Sequence, residues 1–517
     1  MSSRTLRLGT RRSALARAQS SAFARALERA HPGLSVELVG IDTRGDRIQQ
    51  VPLSQVDGKE FFTAEIDAAL RAGEVDFTVH SYKDLSLERP AVLHLACVPR
   101  RENPRDLVIF APDVMQRLAE GATLRIGSSS PRRVALVPDF LRRALPGTEP
   151  AQVQLVELRG NVDTRLRRVL EPRGSERHLD GVILACAGLA RLWRDEGGTG
   201  GGELLRGLLQ GLPRMMLPLN ACPTAPAQGA LAVECRSDDA ATQQLLGALD
   251  DGATRRAVDA ERELLAERGG GCHQRFGATQ IAVPGLGNLL HLRADGEQGP
   301  LPPELRWQPE QALPERPAQV HSFDGTRHAA GTLQALSAGE SELLQALPEA
   351  QALFIAHRRA LPESVAAAQL AGKAVWVSGV ESWFALARRG VWVQGCGESL
   401  GFEFLTTLLD EAPLQLPPLP QWLVLTHRDA LQGWHASRAV ATYFLDANGV
   451  VDAAPPADVT HVYWSSSAQF DRWQAQLGSA VHHACGPGKT AAHLRACQVQ
   501  NLAVFPGVAQ WRAWLAP

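Results

Sequence analysis

Lysine is nearly missing from this chain: Lys59, Lys83, Lys373 and Lys489 are the only four among 517 residues, so nearly all positive charge is arginine. The formal net charge of −2 excludes a generally basic surface of the kind that binds nucleic acid or anionic membranes. No apolar run approaches the ~18 residues of a membrane-spanning helix, and MSSRTLRLGTRR at the start lacks the apolar core of a signal peptide. A cytoplasmic protein is expected. The 8 cysteines form no CxxC pair and none reads as standing at ligand spacing to a histidine. A disulfide framework and a structural zinc are therefore not expected, and no metal is assigned. Short tandem repeats are absent, which excludes a solenoid.

What is present is length and alternation. Single cores rarely grow past ~250–300 residues, so 517 residues imply several domains. Residues 1–190 carry 28 Lys+Arg against 23 Asp+Glu and the remainder 25 against 32, which places the positive excess at the front. There, β-like runs (LRLGT, SVELVGI, DFTVHSY, LVIFAP, LRIGSSS, VQLVEL, DGVILACAG) alternate with helical ones such as SALARAQSSAFARALERA. The pattern predicts α/β domains with mostly parallel sheets, whose ligands sit at the carboxyl ends of strands. A second α/β set runs from ALFIAH to LAVFPG, interrupted by the Pro-rich APLQLPPLP, which reads as a hinge. Within it, KAVWVSG–GVWVQG and HHACGPG–LAVFPG echo one another in their order of elements.

The predicted strand ends carry arginines. GSSSPRR offers a serine-capped helix with proline at its first position, a place that favours anions, and adds Arg132 and Arg133 as bidentate donors. The plain alternative is a capped helix with two solvated arginines. ELRGNVDTRL turns at Gly160 and presents Arg159 and Arg165, and GTRRS places Arg11 at a third strand end. Together they could hold several carboxylates. VHSYKDL puts Lys83 and Asp84 at the same edge, either as a surface pair or as an acid able to stabilise a cation or move a proton. Cys272 in GGGCH has an open glycine backbone and is either an inert thiol or a covalent anchor.

In order, LRLGTRRSALARAQ, VELVGIDTRGD, DGKEFFTAEIDAAL, DFTVHSYKDL, RENPRDLVI, GSSSPRR, LRGNVDTRL, ILACAGLARL, PAQGALAVECR and ERELLAERGGGC resemble the hydroxymethylbilane synthase (porphobilinogen deaminase) family over about residues 4–340. The resemblance implies two periplasmic-binding-protein-like lobes and a small α/β domain that carries a covalent dipyrromethane on Cys272. It implies that Asp84, with Lys83, serves the chemistry on porphobilinogen. Arg11, Ser129, Arg132, Arg133, Arg159, Asn161, Arg165 and Gln19 would line the cofactor and the growing chain, and Lys59 and Phe62 would belong to a loop over the site. SYKDLSLE, GGGC and CPTAPAQGALAVE depart from the usual family forms around these groups.

Residues 345–517 are similar to uroporphyrinogen-III synthase, through GCGESLG, ATYFL, VYWSSSAQFDRW and ACGPGKTAAHLRA. Tyr443, Ser465, Ser466 and Thr490 are the corresponding cleft candidates. The expected division is 1–98 with 204–235 (lobe 1), 99–203 (lobe 2), 236–344 (cofactor-bearing domain), 345–411, a hinge at 412–420, and 421–517. The expected activity is condensation of four porphobilinogens into hydroxymethylbilane by a monomer with no nucleic-acid or membrane partner. The C-terminal part would then either cyclise that product or only bind. The rival reading is a polyanion-binding module.

Overall fold

A computed structural model describes residues 4–43, 63–195, 198–269, 275–315, 320–324, 333–431, 434, 437–445 and 454–516. Lys59, Phe62 and Cys272 lie outside them.

Lobe 1 is a five-stranded sheet of β1 (Arg4–Arg11), β2 (Leu34–Ile41), β3 (Phe77–Ser81), β4 (Leu93–Cys97) and β10 (Leu231–Arg236), in the order β2-β1-β3-β10-β4. Lobe 2 holds β5 (Asp106–Phe110), β6 (Leu124–Gly127), β7 (Val153–Val156), β8 (Gly181–Ala185) and β9 (Arg214–Met216), in the order β7-β6-β8-β5-β9. Each sheet is mixed rather than mostly parallel: β10 runs antiparallel to β3 and β4, and β5 antiparallel to β8 and β9. The expected boundary at 203 also moves. β9 is wholly buried and pairs with β5, so lobe 2 continues to Met216.

Two straps, 98–105 and 217–230, join the lobes side by side. The Glu102 N–H donates to the Gly229 carbonyl at 3.2 Å, and Arg101 Nε to the Gln228 carbonyl at 2.8 Å. Gly229 is required here. Its φ is +90°, and a Cβ would stand 2.5 Å from the Glu102 oxygen.

The third domain packs the helix Gly252–Glu267 on an antiparallel sheet of β11 (Phe276–Val283), β12 (Gly287–Gly296), β13 (Gly299–Pro300) and β14 (Glu304–Pro309). Its expected end at 344 is corrected, because β15 (Ser322–Phe323) and β16 (Leu333–Ala335) join two further sheets. One is six-stranded, β16-β21-β20-β17-β18-β19, with β17 (Ala352–Ile355), β18 (Ala374–Val377), β19 (Gly395–Cys396), β20 (Trp422–His427) and β21 (Arg438–Leu445). The other is β15-β22-β23-β24, with β22 (His461–Trp464), β23 (His482–Cys485) and β24 (Leu502–Val504). The echo noted in the sequence corresponds to two parallel edge pairs, β18-β19 and β23-β24.

The Pro-rich run does not divide the C-terminal lobes, since β20 pairs with β17 in one sheet across it. It packs instead against lobe 2: Leu414 is 3% exposed, and the Pro413 carbonyl accepts from Arg214 at 2.6 Å. The real crossings between the C-terminal lobes are β15 to β16 and β21 to β22.

Lobe 2 and the six-stranded lobe share two hydrophobic clusters. Phe140 meets Trp383 edge to face at 5.2 Å, Phe110 meets Trp392 at 5.1 Å, and Trp383 Nε1 donates to the Ala144 carbonyl at 3.0 Å. The two sheets adjoin at their edges, with Met216 N–H on the Gln394 carbonyl at 2.7 Å. Beside this seam, Arg105 and Glu398 form a buried ion pair at 2.5 Å. Among the described residues no helix is long and apolar enough to cross a membrane.

Candidate active site

The two main lobes face each other across the ends of their sheets. From lobe 1, β3 ends in the short turn Tyr82–Asp84, which leaves Asp84 exposed and Lys83 half-buried. Lys83 Nζ donates to Gln228 Oε1 at 3.2 Å. Burial lowers the Lys83 pKa, with Asp84 opposing. Gln19 accepts from the Ser81 hydroxyl at 3.4 Å and is only 5% exposed, because it lies on the buried face of the helix Ala14–Ala30. Arg11 is half-buried at the end of β1.

From lobe 2, the helix Pro131–Ala144 is capped by Ser130 and opens with proline, as GSSSPRR predicts. Its arginines are not solvated. Arg132 Nη2 bonds Asp106 Oδ2 at 2.7 Å, and Arg133 grips the same carboxylate at 2.6 and 3.1 Å. Burial alone would raise the Asp106 pKa, but the charges of Arg133 and Arg132 outweigh it and hold the acid well below the usual carboxylate range. Gln228 completes the network by donating to Asp106 at 2.8 Å, so Lys83 and both arginines share one scaffold across the lobes.

Asp106 and Gln228 are not among the site residues read from the sequence. The signal was an acid opening the apolar run DLVIF, since a buried charge needs partners. Replacing it leaves two guanidiniums buried around a neutral amide, so Asp106→Asn is expected to cost ~3–5 kcal/mol in chemical denaturation. A depressed native pKa contributes stability above the ordinary carboxylate range, and this is lost as pH falls through that range toward the native value. The advantage of the native chain over the variant should therefore shrink below about pH 4.

The turn after β7 supplies further positive charge: Arg159, whose Nε lies 3.6 Å from Glu157 Oε1, and Arg165 beyond it. Gly160, at φ +107°, closes it and accepts from Arg165 Nε at 2.7 Å. Burial, then Arg133 and Arg159, pull the Arg165 pKa down to about 10, against Asp84. Arg165 thus lies within the field of both arginines and of the acid. Nε and Nη2 of Arg159 are buried without a hydrogen-bond partner. Ser129 donates to the Leu158 carbonyl at 2.8 Å, tying the two arginine turns together, and Asn161 precedes the helix Val162–Leu170 in an exposed position.

Residues 6–244 match the family model "Porphobilinogen deaminase, dipyromethane cofactor binding domain". A porphobilinogen deaminase of Roseiflexus sp. strain RS-1 is 41% identical over 296 residues, 56% of this chain and 83% of that protein. The chain belongs to the porphobilinogen deaminase family. The same name is carried by a protein of Acidothermus cellulolyticus, 45% identical over 54% of this chain and 76% of its own length. A Sphingopyxis alaskensis protein so named is 39% identical over 65% of this chain and 90% of its own. Dipyrromethane is the cofactor of this deaminase domain. A group bearing several carboxylates fits the site, because Arg159 keeps a buried Nη2 without a hydrogen-bond partner and Arg132 and Arg133 share the single carboxylate of Asp106.

The C-terminal candidates fall on two lobes. Tyr443, on β21, is 8% exposed and lies between His357 and His427, at ring distances of 6.1 and 5.8 Å. Burial raises the Tyr443 pKa to about 12 and, together with Arg358 and Arg359, lowers that of His357 to about 4. Burial also lowers His427. Both imidazoles are therefore neutral at pH 7, and neither was read from the sequence. Ser465, Ser466 and Thr490 belong to the other lobe. Ser466 caps the helix Ser467–Trp473, and Ser465 bonds Gln469 at 3.0 Å. Lys489 bridges the lobes by donating to the Ala430 carbonyl at 2.6 Å.

Proposed function

We propose that this chain acts in tetrapyrrole biosynthesis as a hydroxymethylbilane synthase. It would condense four porphobilinogens head to tail and release ammonia, with Cys272 carrying the dipyrromethane through a thioether. The observation that supports this reading is the exposed acid Asp84 within electrostatic reach of Lys83 and Arg165, which in turn lie near Arg133 and Arg159. When bound, the dipyrromethane supplies the pyrrole carbon to which the first substrate is joined. Arg159 and Arg165, with Arg11, Arg132 and Arg133, would bind acetate and propionate groups. Asp84 would stabilise the cationic azafulvene left when ammonia departs. Lys83, held by Gln228, would place a positive charge beside that carboxylate.

A charge that acts on a cation formed during the reaction affects the chemical step more than binding. Asp84→Asn is therefore expected to retain its cofactor mass while turnover falls ~10²-fold or more. Near-normal ammonia release would remove Asp84 from the mechanism.

We further infer that the C-terminal part cyclises the bilane to uroporphyrinogen III. The supporting observation is a tyrosine hydroxyl set among neutral imidazoles at the carboxyl ends of parallel strands. The isomer produced in the same assay decides this reading: isomer III supports it, and isomer I leaves a binding role.

A further inference from the structure

We propose that Asp471, His493 and Cys497 form a binding site for a divalent transition metal of the zinc class on the second C-terminal lobe. His493 and Cys497 stand one turn apart on one face of the helix Lys489–Ala496 and its C-cap, at the opposite end from Thr490. The cap is fixed by the Cys497 N–H bonding the His493 carbonyl at 2.9 Å. Asp471 comes from the neighbouring helix Ser467–Trp473, and its Oδ1 lies 2.8 Å from His493 Nε2. Cys497 Sγ lies 3.7 Å from the same nitrogen, and the three donor atoms all fall within 4.8 Å of one another.

The spacing suits a metal. Tetrahedral zinc, with bonds of about 2.0–2.1 Å to nitrogen and 2.3 Å to sulfur, sets neighbouring donors roughly 3.3–3.7 Å apart. The nitrogen–sulfur distance already has that value. The carboxylate has to withdraw from the imidazole by about half an ångström, and the Asp471 side chain, 51% exposed, has room to rotate. The imidazole is oriented independently of any metal: Phe470, 1% exposed, meets it edge to face at 6.0 Å and 81°. Among the described residues Asp471 has no arginine or lysine in an ion pair with it, and Cys497 is the one exposed cysteine. A mixed nitrogen, oxygen and sulfur set favours zinc, cobalt or nickel over magnesium or calcium, and the exposed side leaves a position for water. Binding would pin the two helices together. It would also release the thiol proton, so affinity should rise with pH.

The test is titration of the reduced full-length protein with Co²⁺. One equivalent should produce a thiolate-to-cobalt charge-transfer band that Zn²⁺ displaces. Cys497→Ser should abolish the band. Asp471→Asn and His493→Gln should each weaken binding by ~10-fold or more, since even groups that merely orient a ligand are worth 10–100-fold. Circular dichroism of each variant reports whether it has folded. A band that survives Cys497→Ser, or no stoichiometric binding by the folded native chain, would show a surface aspartate–histidine pair with a bystander thiol and overturn the proposal.

Discussion

Cys272→Ser is expected to abolish turnover and to return the protein to the mass of its bare sequence. The reasoning is chemical. A thioether forms by attack of sulfur on an electrophilic methylene, and at neutral pH a serine hydroxyl is a far poorer nucleophile than a thiol with its thiolate fraction. Without the anchored pyrroles the first condensation has no acceptor, so the loss should be complete rather than partial. The fold should persist, because Cys272 stands within the run GGGCH rather than in an apolar segment. Intact-mass spectrometry and ammonia release from porphobilinogen, run side by side, give the readout. If the serine protein still carried the added mass, another residue would have to be the anchor.

Ending the chain after Glu315 is expected to cost the deaminase its stability, although every residue proposed for ammonia release lies upstream. Lobe 2 would lose its cover. Phe110, Phe140 and Val137 share a cluster with Trp383, Phe384, Val391 and Val393. Each fully buried large apolar side chain contributes about 1.5–3 kcal/mol, so uncovering several approaches the ~5–15 kcal/mol by which domains are stable. The truncation also strips β9 of the carbonyl that Met216 meets and leaves an apolar edge open to other chains. Soluble yield and thermal midpoint should both fall sharply. A truncated protein that melts with the full chain would show the seam to be energetically idle.

The sequence made the strand-end turns legible because their signals are local: a capping serine, a proline at the first helical position, a glycine at positive φ. What those turns hold was less so. Asp106 meets Arg132 and Arg133 from 26 and 27 residues away, and Gln228 reaches it from 122. Domain borders failed for a related reason. β9 has three residues and no pattern to name its partner, and a proline-rich run looks the same whether it bends between lobes or packs on one. Histidine was the other blind spot. His357 and His427 are ordinary until three strands bring them to Tyr443. His493-x3-Cys497 gains meaning only once Asp471 arrives from another helix.

The paired straps between the main lobes have a mechanical consequence. A single tether would let one lobe swivel, twist and slide over the other. Two leaves of chain hydrogen-bonded where they run together, at 101–104 and 228–229, resist such twisting and sliding. One leaf is bolted down: Arg105 is clamped by Glu398 and Arg101 by Glu261. The straps thereby hold Asp84 and the arginine turns in their facing order through Gln228, which binds Lys83 on one side and Asp106 on the other.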